Sequence, residues 1–116
     1  MTPTVALIYD FDGTLAPGNM QEFGLLQAIG YDNPNEFWNL CDQIAKTNDA
    51  GGIAVVMYAI QAEAQRAGIR CTRDMLRQYG KMLQFFPGVV EWFEKINTYA
   101  AQIGIEVKHY INSSGI

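Results

Sequence analysis

The chain has 116 residues, of which 49% are hydrophobic and 17% charged, with a net charge of -4. Such a length is one domain's worth, and such a balance folds into a globule instead of staying disordered. Charge and hydropathy exclude two partner classes: no run of lysine or arginine offers a footprint for nucleic acid, and no segment reaches the roughly 18 apolar residues of a membrane span.

The first ten residues, "MTPTVALIYD", lack the basic region and small-residue cleavage site of a secretory leader. Cys41 and Cys71 make neither a CxxC motif nor a disulfide framework. The expectation is a cytoplasmic protein with two reduced, packed thiols.

In chain order, "TVALIYDF" reads as a strand: short, continuously apolar and rich in Val, Ile and Tyr, as a parallel strand covered on both faces should be. "DGTLAPGN" follows as a turn. "MQEFGLLQAIG" predicts a short helix ending at Gly30. "DNPNEFWNLCDQIAKTND" predicts a helix with Asp32, Asn33 or Asn35 as cap, Pro34 in its first turn, and a stripe of Phe37, Trp38, Cys41, Ile44 and Ala45. "IAVVMYAIQAEAQRAG" predicts a well-buried helix ending at Gly68. "CTRDMLRQYGKMLQFF" predicts a helix capped by Thr72 and running through Met82 and Leu83, with Gly80 as its weak point. After the Pro87-Gly88 break, "VVEWFEKINTYAAQIG" predicts a helix stopped by Gly104, and "IEVKHYIN" a second strand before the turn "NSSG".

Two strands joined through helix suit a parallel pair with a crossover. Residues 18–85 are far longer than a crossover needs, and read as an inserted helical subdomain.

Asp10 and Asp12 leave the first strand one residue apart, at the carboxyl edge where parallel sheets bind ligands. Two carboxylates so close repel unless a cation relieves them. Magnesium, which takes hard oxygens and often only one or two carboxylates, is the economical answer. Solvated turn aspartates, with Asp12-Gly13 as ordinary turn chemistry, are the plainer one. An EF-hand fails: counted from Asp10, the sixth position is Leu15 instead of glycine, and the twelfth is Gln21 instead of glutamate.

The string D-F-D-G-T-L (residues 10–15), directly after an apolar strand, resembles the first signature of the haloacid dehalogenase (HAD) superfamily of phosphohydrolases. "HYINSSG" is similar to the second, a strand ending in Ser or Thr. Residues 18–85 resemble the family's helical cap, and "FFPGVVEWFEKI" its return to the core. The resemblance implies an α/β fold, mostly helical by content: a partial Rossmann-like core of residues 1–17 and 86–116, made of two parallel strands and a helix, with a cap of residues 18–85.

It further implies Asp10 as nucleophile and Asp12 as general acid and then base. Magnesium would be held by the Asp10 carboxylate and the Asp12 backbone carbonyl. Ser113 would bind a phosphoryl oxygen, with the Ser114 and Gly115 amides nearby; Ser114 is the rival alignment. Gly13 and Thr14 would shape the turn. The substrate would be a small phosphorylated metabolite. A dehalogenase is the rival within the enzyme class, but an alkyl halide's leaving group needs no proton, which speaks against it given Asp12.

The family's lysine and acidic pair lie on strands later than the second signature, and no residue here matches them. A two-stranded open sheet also leaves both edges unpaired. The expectation is therefore the N-terminal part of a longer hydrolase, or a truncated product stabilised by its helical cap or by self-association through exposed sheet edges. The alternative is a non-catalytic helical interaction module on a degenerate core. His109 is expected to be a packed or solvent-facing strand residue, Trp38 and Trp92 core anchors, and Glu22 a solvated helix-face carboxylate.

Overall fold

The computed structural model describes residues 1–115. It is mixed α/β and mostly helical, with five α-helices and one pair of parallel strands among the described residues. In chain order these are β1 (Thr4–Tyr9), α1 (Leu25–Ala28), α2 (Pro34–Asn48), α3 (Gly52–Arg66), α4 (Arg73–Gly80), α5 (Val89–Gln102) and β2 (Glu106–Ile111). The contacts divide the chain into an α/β unit, Met1–Gly18 with Gln84–Gly115, and a helical unit, Asn19–Leu83.

In the helical unit, the caps explain the helix starts. Asn33 Oδ1 accepts the Asn35 amide at 3.1 Å and Pro34 sits in the first turn of α2. Thr72 Oγ1 accepts the Met75 amide at 3.2 Å and starts α4. The apolar stripes of α1, α2 and α3 then close a core around Leu26, Ile29, Phe37, Cys41, Val55, Ala59 and Ile60.

Three helices differ from the sequence expectation. The helix expected over residues 20–30 is broken: a 3-10 turn covers Met20–Glu22, and α1 starts only at Leu25. Gly24 lies between them at φ +100°, a conformation that interrupts a helix. A side chain at Gly24 would press on Met82 Sδ at 2.9 Å and on the Tyr79 ring at 3.0 Å. α4 stops at Gly80, short of Met82 and Leu83, because the Lys81, Met82 and Leu83 amides turn back on the carbonyls of Gln78, Tyr79 and Gly80. Finally, α3 is buried along one stripe only. Val55, Ala59, Ile60 and Ala64 face inward, while Ile53, Met57 and Tyr58 are exposed.

In the α/β unit, β1 and β2 pair in parallel with Thr4 opposite Glu106 and Tyr9 opposite Ile111. Alternation puts Leu7, Tyr9, Val107 and His109 on the half-buried face, and α5 packs with β2. The other face is open, with Ile8 67% and Tyr110 52% exposed. Burial on both faces was expected from the apolar run of β1. With a single packing helix in this unit, only one face is half-covered.

Cys41 is buried, and burial pushes its thiol above the ordinary value, helped by the charge of Asp42. Cys71 is exposed, so the expectation of two packed thiols fails for it: it lies just before the Thr72 cap, outside the helical stripes. Among the described residues, no helix is long and apolar enough to cross a membrane.

Candidate functional site

β1 ends at Tyr9, so Asp10 emerges at the carboxyl end of the strand, exposed, with Oδ1 accepting the Phe11 amide at 2.8 Å. The loop beyond is held by one carbonyl. Phe11 O accepts the amides of Thr14, Leu15 and Ala16 at 3.1, 3.0 and 3.3 Å, and Gly13 donates to Ala16 O at 2.7 Å. Gly13 takes φ +76°, which a side chain would strain. The Phe11 ring meets Phe85 edge to face at 6.2 Å, and Leu15 O accepts the Phe86 amide at 3.0 Å. Asp12 is half-buried inside this tight loop.

The second strand reaches the same edge. The Asn112 amide donates to Tyr9 O at 2.8 Å, continuing the ladder one step past β2. Asp10 and Ser113 therefore follow neighbouring parallel strands out of one end of the sheet. Ser113 Oγ accepts the Gly115 amide at 3.0 Å, which engages that amide and leaves the hydroxyl hydrogen to donate elsewhere. Ser113 and Gly115 are half-buried and Ser114 is exposed.

Behind this edge lies a hydrogen-bonded chain that sequence reading does not assemble. The Trp92 indole N–H donates to Tyr9 Oη at 2.8 Å, Tyr9 Oη meets His109 Nδ1 at 2.8 Å, and His109 Nε2 meets Asn97 Oδ1 at 2.9 Å. An amide oxygen only accepts, so Nε2 donates to Asn97 Oδ1 and the ring is tied at both nitrogens. Tyr9 and His109 stack with ring centroids 5.8 Å apart, and Phe93 meets both edge to face. The missed signal was strand alternation. Tyr9 and His109 sit on the same face of adjacent strands, directly before the two candidate loops. Trp92 is correspondingly not a core anchor: it is exposed along one side, and its N–H ties α5 to β1.

The other singled-out residues resolve within the helical unit. Glu22 is half-buried, not solvated, and accepts from Trp38 Nε1 at 2.8 Å and Asn19 Nδ2 at 3.1 Å. Its carboxylate is occupied as a tie between the 3-10 turn and α2. Trp38 packs partly buried against the core.

The donors expected to take magnesium, the Asp10 carboxylate and the Asp12 carbonyl, are hard oxygens on one loop, which fits that ion's preference. Among the described residues, no group of three or more His, Cys, Asp or Glu side chains is placed to hold a metal ion. Compared with family models, curated proteins and solved structures, the chain gives no match.

Proposed function

We propose that the chain is a partial Rossmann-like core and the helical cap of a HAD-like phosphohydrolase that acts on a small phosphorylated metabolite and is incomplete as this chain. The observation that supports this reading is the 2.8 Å bond from the Asn112 amide to Tyr9 O, which sets the exits of the two strands side by side. An exposed carboxylate and a serine hydroxyl then leave one sheet edge together, where parallel sheets bind ligands.

In this mechanism an Asp10 oxygen attacks phosphorus, the bond to the leaving oxygen breaks, and Asp12 gives that oxygen its proton. Asp12 then takes a proton from the water that attacks the Asp10 phosphoryl group, releasing phosphate and restoring the free carboxylate. The Ser113 hydroxyl donates to a phosphoryl oxygen, with the Ser114 amide nearby, and Gly13 and Thr14 shape the turn after Asp12. The Asp10 carboxylate and the Asp12 carbonyl would hold magnesium, which would supply charge neutralisation for the phosphoryl oxygens.

The test is intact mass after incubation with acetyl phosphate and magnesium. One added phosphoryl group, removed by hydroxylamine and missing in Asp10→Asn, is expected. An unmodified wild-type chain sinks the proposal.

The non-catalytic reading, an interaction module that self-associates through its sheet, has its own observation. The open sheet face presents Ile8 and Tyr110, and a two-stranded sheet has an outer edge on each side. Sedimentation across a concentration series decides it, since a monomer at every concentration removes self-association.

A further inference from the structure

The free edge of β1 is a feature of the α/β unit that the candidate site does not use. In a parallel pair, every second residue of a strand turns its backbone groups away from its neighbour. The Glu106 amide donates to Pro3 O at 2.9 Å and the Asn112 amide to Tyr9 O at 2.8 Å, so the odd-numbered residues of this stretch turn toward β2. Thr4, Ala6 and Ile8 therefore present their N–H and C=O groups at the outer edge. Among the described residues no third strand pairs with β1. Thr4, Ala6 and Ile8 are all exposed.

The two edges of the sheet are not alike. β2 carries Glu106 and Lys108, charges of the kind that blunt an edge, and α5 packs with it. β1, "TVALIY", holds neither a charge nor a proline, and an edge strand without them is a template for another strand.

This strand complements itself. Laid antiparallel about a two-fold axis at Ala6, two copies set Ala6 opposite Ala6 and Thr4 opposite Ile8. Outward residues then face outward residues, so each free N–H meets a free C=O of the other copy. Opposed residues share a face: Thr4, Ala6 and Ile8 stay on the open face, and Val5 and Leu7 on the other. A shift by one residue would set outward groups against groups already bonded to β2. No charged side chain of β1 lies across the axis, and the small Ala6 side chains occupy its centre. An isologous contact also uses up both β1 edges, so growth stops at two copies.

We propose that two copies of this chain pair through β1, antiparallel about Ala6, into a closed dimer with one continuous sheet. The proposal rests on the self-association reading and adds to it the edge, the register and the size of the assembly.

Sedimentation of the 116-residue chain across a concentration series is the test. The wild type is expected to reach a dimer and no larger species. Ala6→Pro removes an N–H that β2 does not use, a change that an edge strand tolerates. It should keep its circular dichroism and weaken the dimer about tenfold or more. Ala6→Lys and Ala6→Glu should each weaken the dimer by setting like charges opposite each other at the axis. Their equimolar mixture should restore it, because the charges across the axis then attract. If Ala6→Pro loses its fold, the charge variants alone decide. A wild-type monomer at every concentration overturns this proposal and the self-association reading together. A dimer that Ala6→Pro leaves undiminished, or a mixture that associates no better than either charge variant alone, overturns the β1 pairing and leaves self-association by another surface. Growth beyond the dimer also overturns it, since the β2 edge would then be in use.

Discussion

The two units hold themselves together by different means. The helical unit buries Leu26, Ile29 and Phe37 almost completely and builds a continuous apolar cluster around them. In the α/β unit, the described buried residues are Ala100 on α5 and Leu15 and Ala16 in the loop after β1. Its large side chains, Ile8, Val90, Tyr99 and Tyr110, stay largely in solvent. What joins α5 to the sheet is instead polar and aromatic: the Trp92–Tyr9–His109–Asn97 chain and the edge contacts of Phe93. Apolar burial is the dominant stabilising term in folding. The helical unit therefore carries its own stability, and the α/β unit depends on directional bonds to stay ordered.

The most severe way to break this contrast is Phe37→Ala. A fully buried aromatic side chain is worth about 3–5 kcal/mol when truncated. Urea unfolding followed by circular dichroism should show the helical signal lost at much lower denaturant.

A smaller effect separates polar from apolar holding within the helical unit. Tyr31 Oη donates to Glu63 at 2.8 Å, and Glu63 is also paired with Arg66. Tyr31→Phe should cost about 1.5–3 kcal/mol, the range for a hydrogen bond to a charged group. Burial, then the Glu63 hydrogen bond and charge, raise the Tyr31 hydroxyl above its ordinary value of 10.0. The native state thus holds this proton more tightly than the unfolded chain. The stability it lends is complete below pH 10.0 and is lost as pH rises through the native value. Cys41 behaves the same way from its ordinary value of 9.0 upward. The urea midpoint should stay level through neutral pH and fall in alkali, and Tyr31→Phe should fall less steeply there. An identical alkaline fall in wild type and variant would remove Tyr31 as its cause.

In the α/β unit, Tyr9→Phe deletes one hydroxyl shared by Trp92 and His109, at a cost of about 1 kcal/mol. The reading is hydrogen exchange at the Asn112 amide, which should speed up about fivefold or more. An unchanged exchange rate would show that the strand exits are held without the network.

The smallest change sharpens the other side of the comparison. Ile8→Ser, on the open sheet face, should alter stability by less than about 0.5 kcal/mol. It should lower binding of an apolar dye such as ANS, since that residue is part of the exposed surface. A large loss of stability would mean that Ile8 is covered in solution.

Much of the secondary structure was legible because local signals agreed. The apolar run before Asp10, the Asn33 and Thr72 caps and the stripe of α2 each marked an element that the structure contains. Asp10 and Ser113 could be placed just after strands for the same reason. What escaped depended on contacts between distant residues. The break at Gly24 comes with Met82 and Tyr79 filling the space a side chain would need. The openness of one sheet face could not be read from β1, because a strand covered on both sides and one covered on one side can share the same apolar run. The Tyr9–His109 contact required knowing the register.

The parallel pairing also has a kinetic meaning. Thr4 and Glu106, hydrogen-bonded side chain to side chain at 3.0 Å, are 102 positions apart in sequence. Contacts so distant make a transition state slow to reach, because the closure entropy must be met before the strands reward it. The Phe86 amide bound to Leu15 O shortens that search. Once this bond closes the intervening segment, β1 and α5 are linked by a few residues instead of about seventy. During synthesis, the five helices would be complete before β2 leaves the ribosome, so the β1–β2 pair would form after them. A chain stalled before residue 106 would carry an apolar β1 with no strand to pair with, in the period when aggregation is most costly.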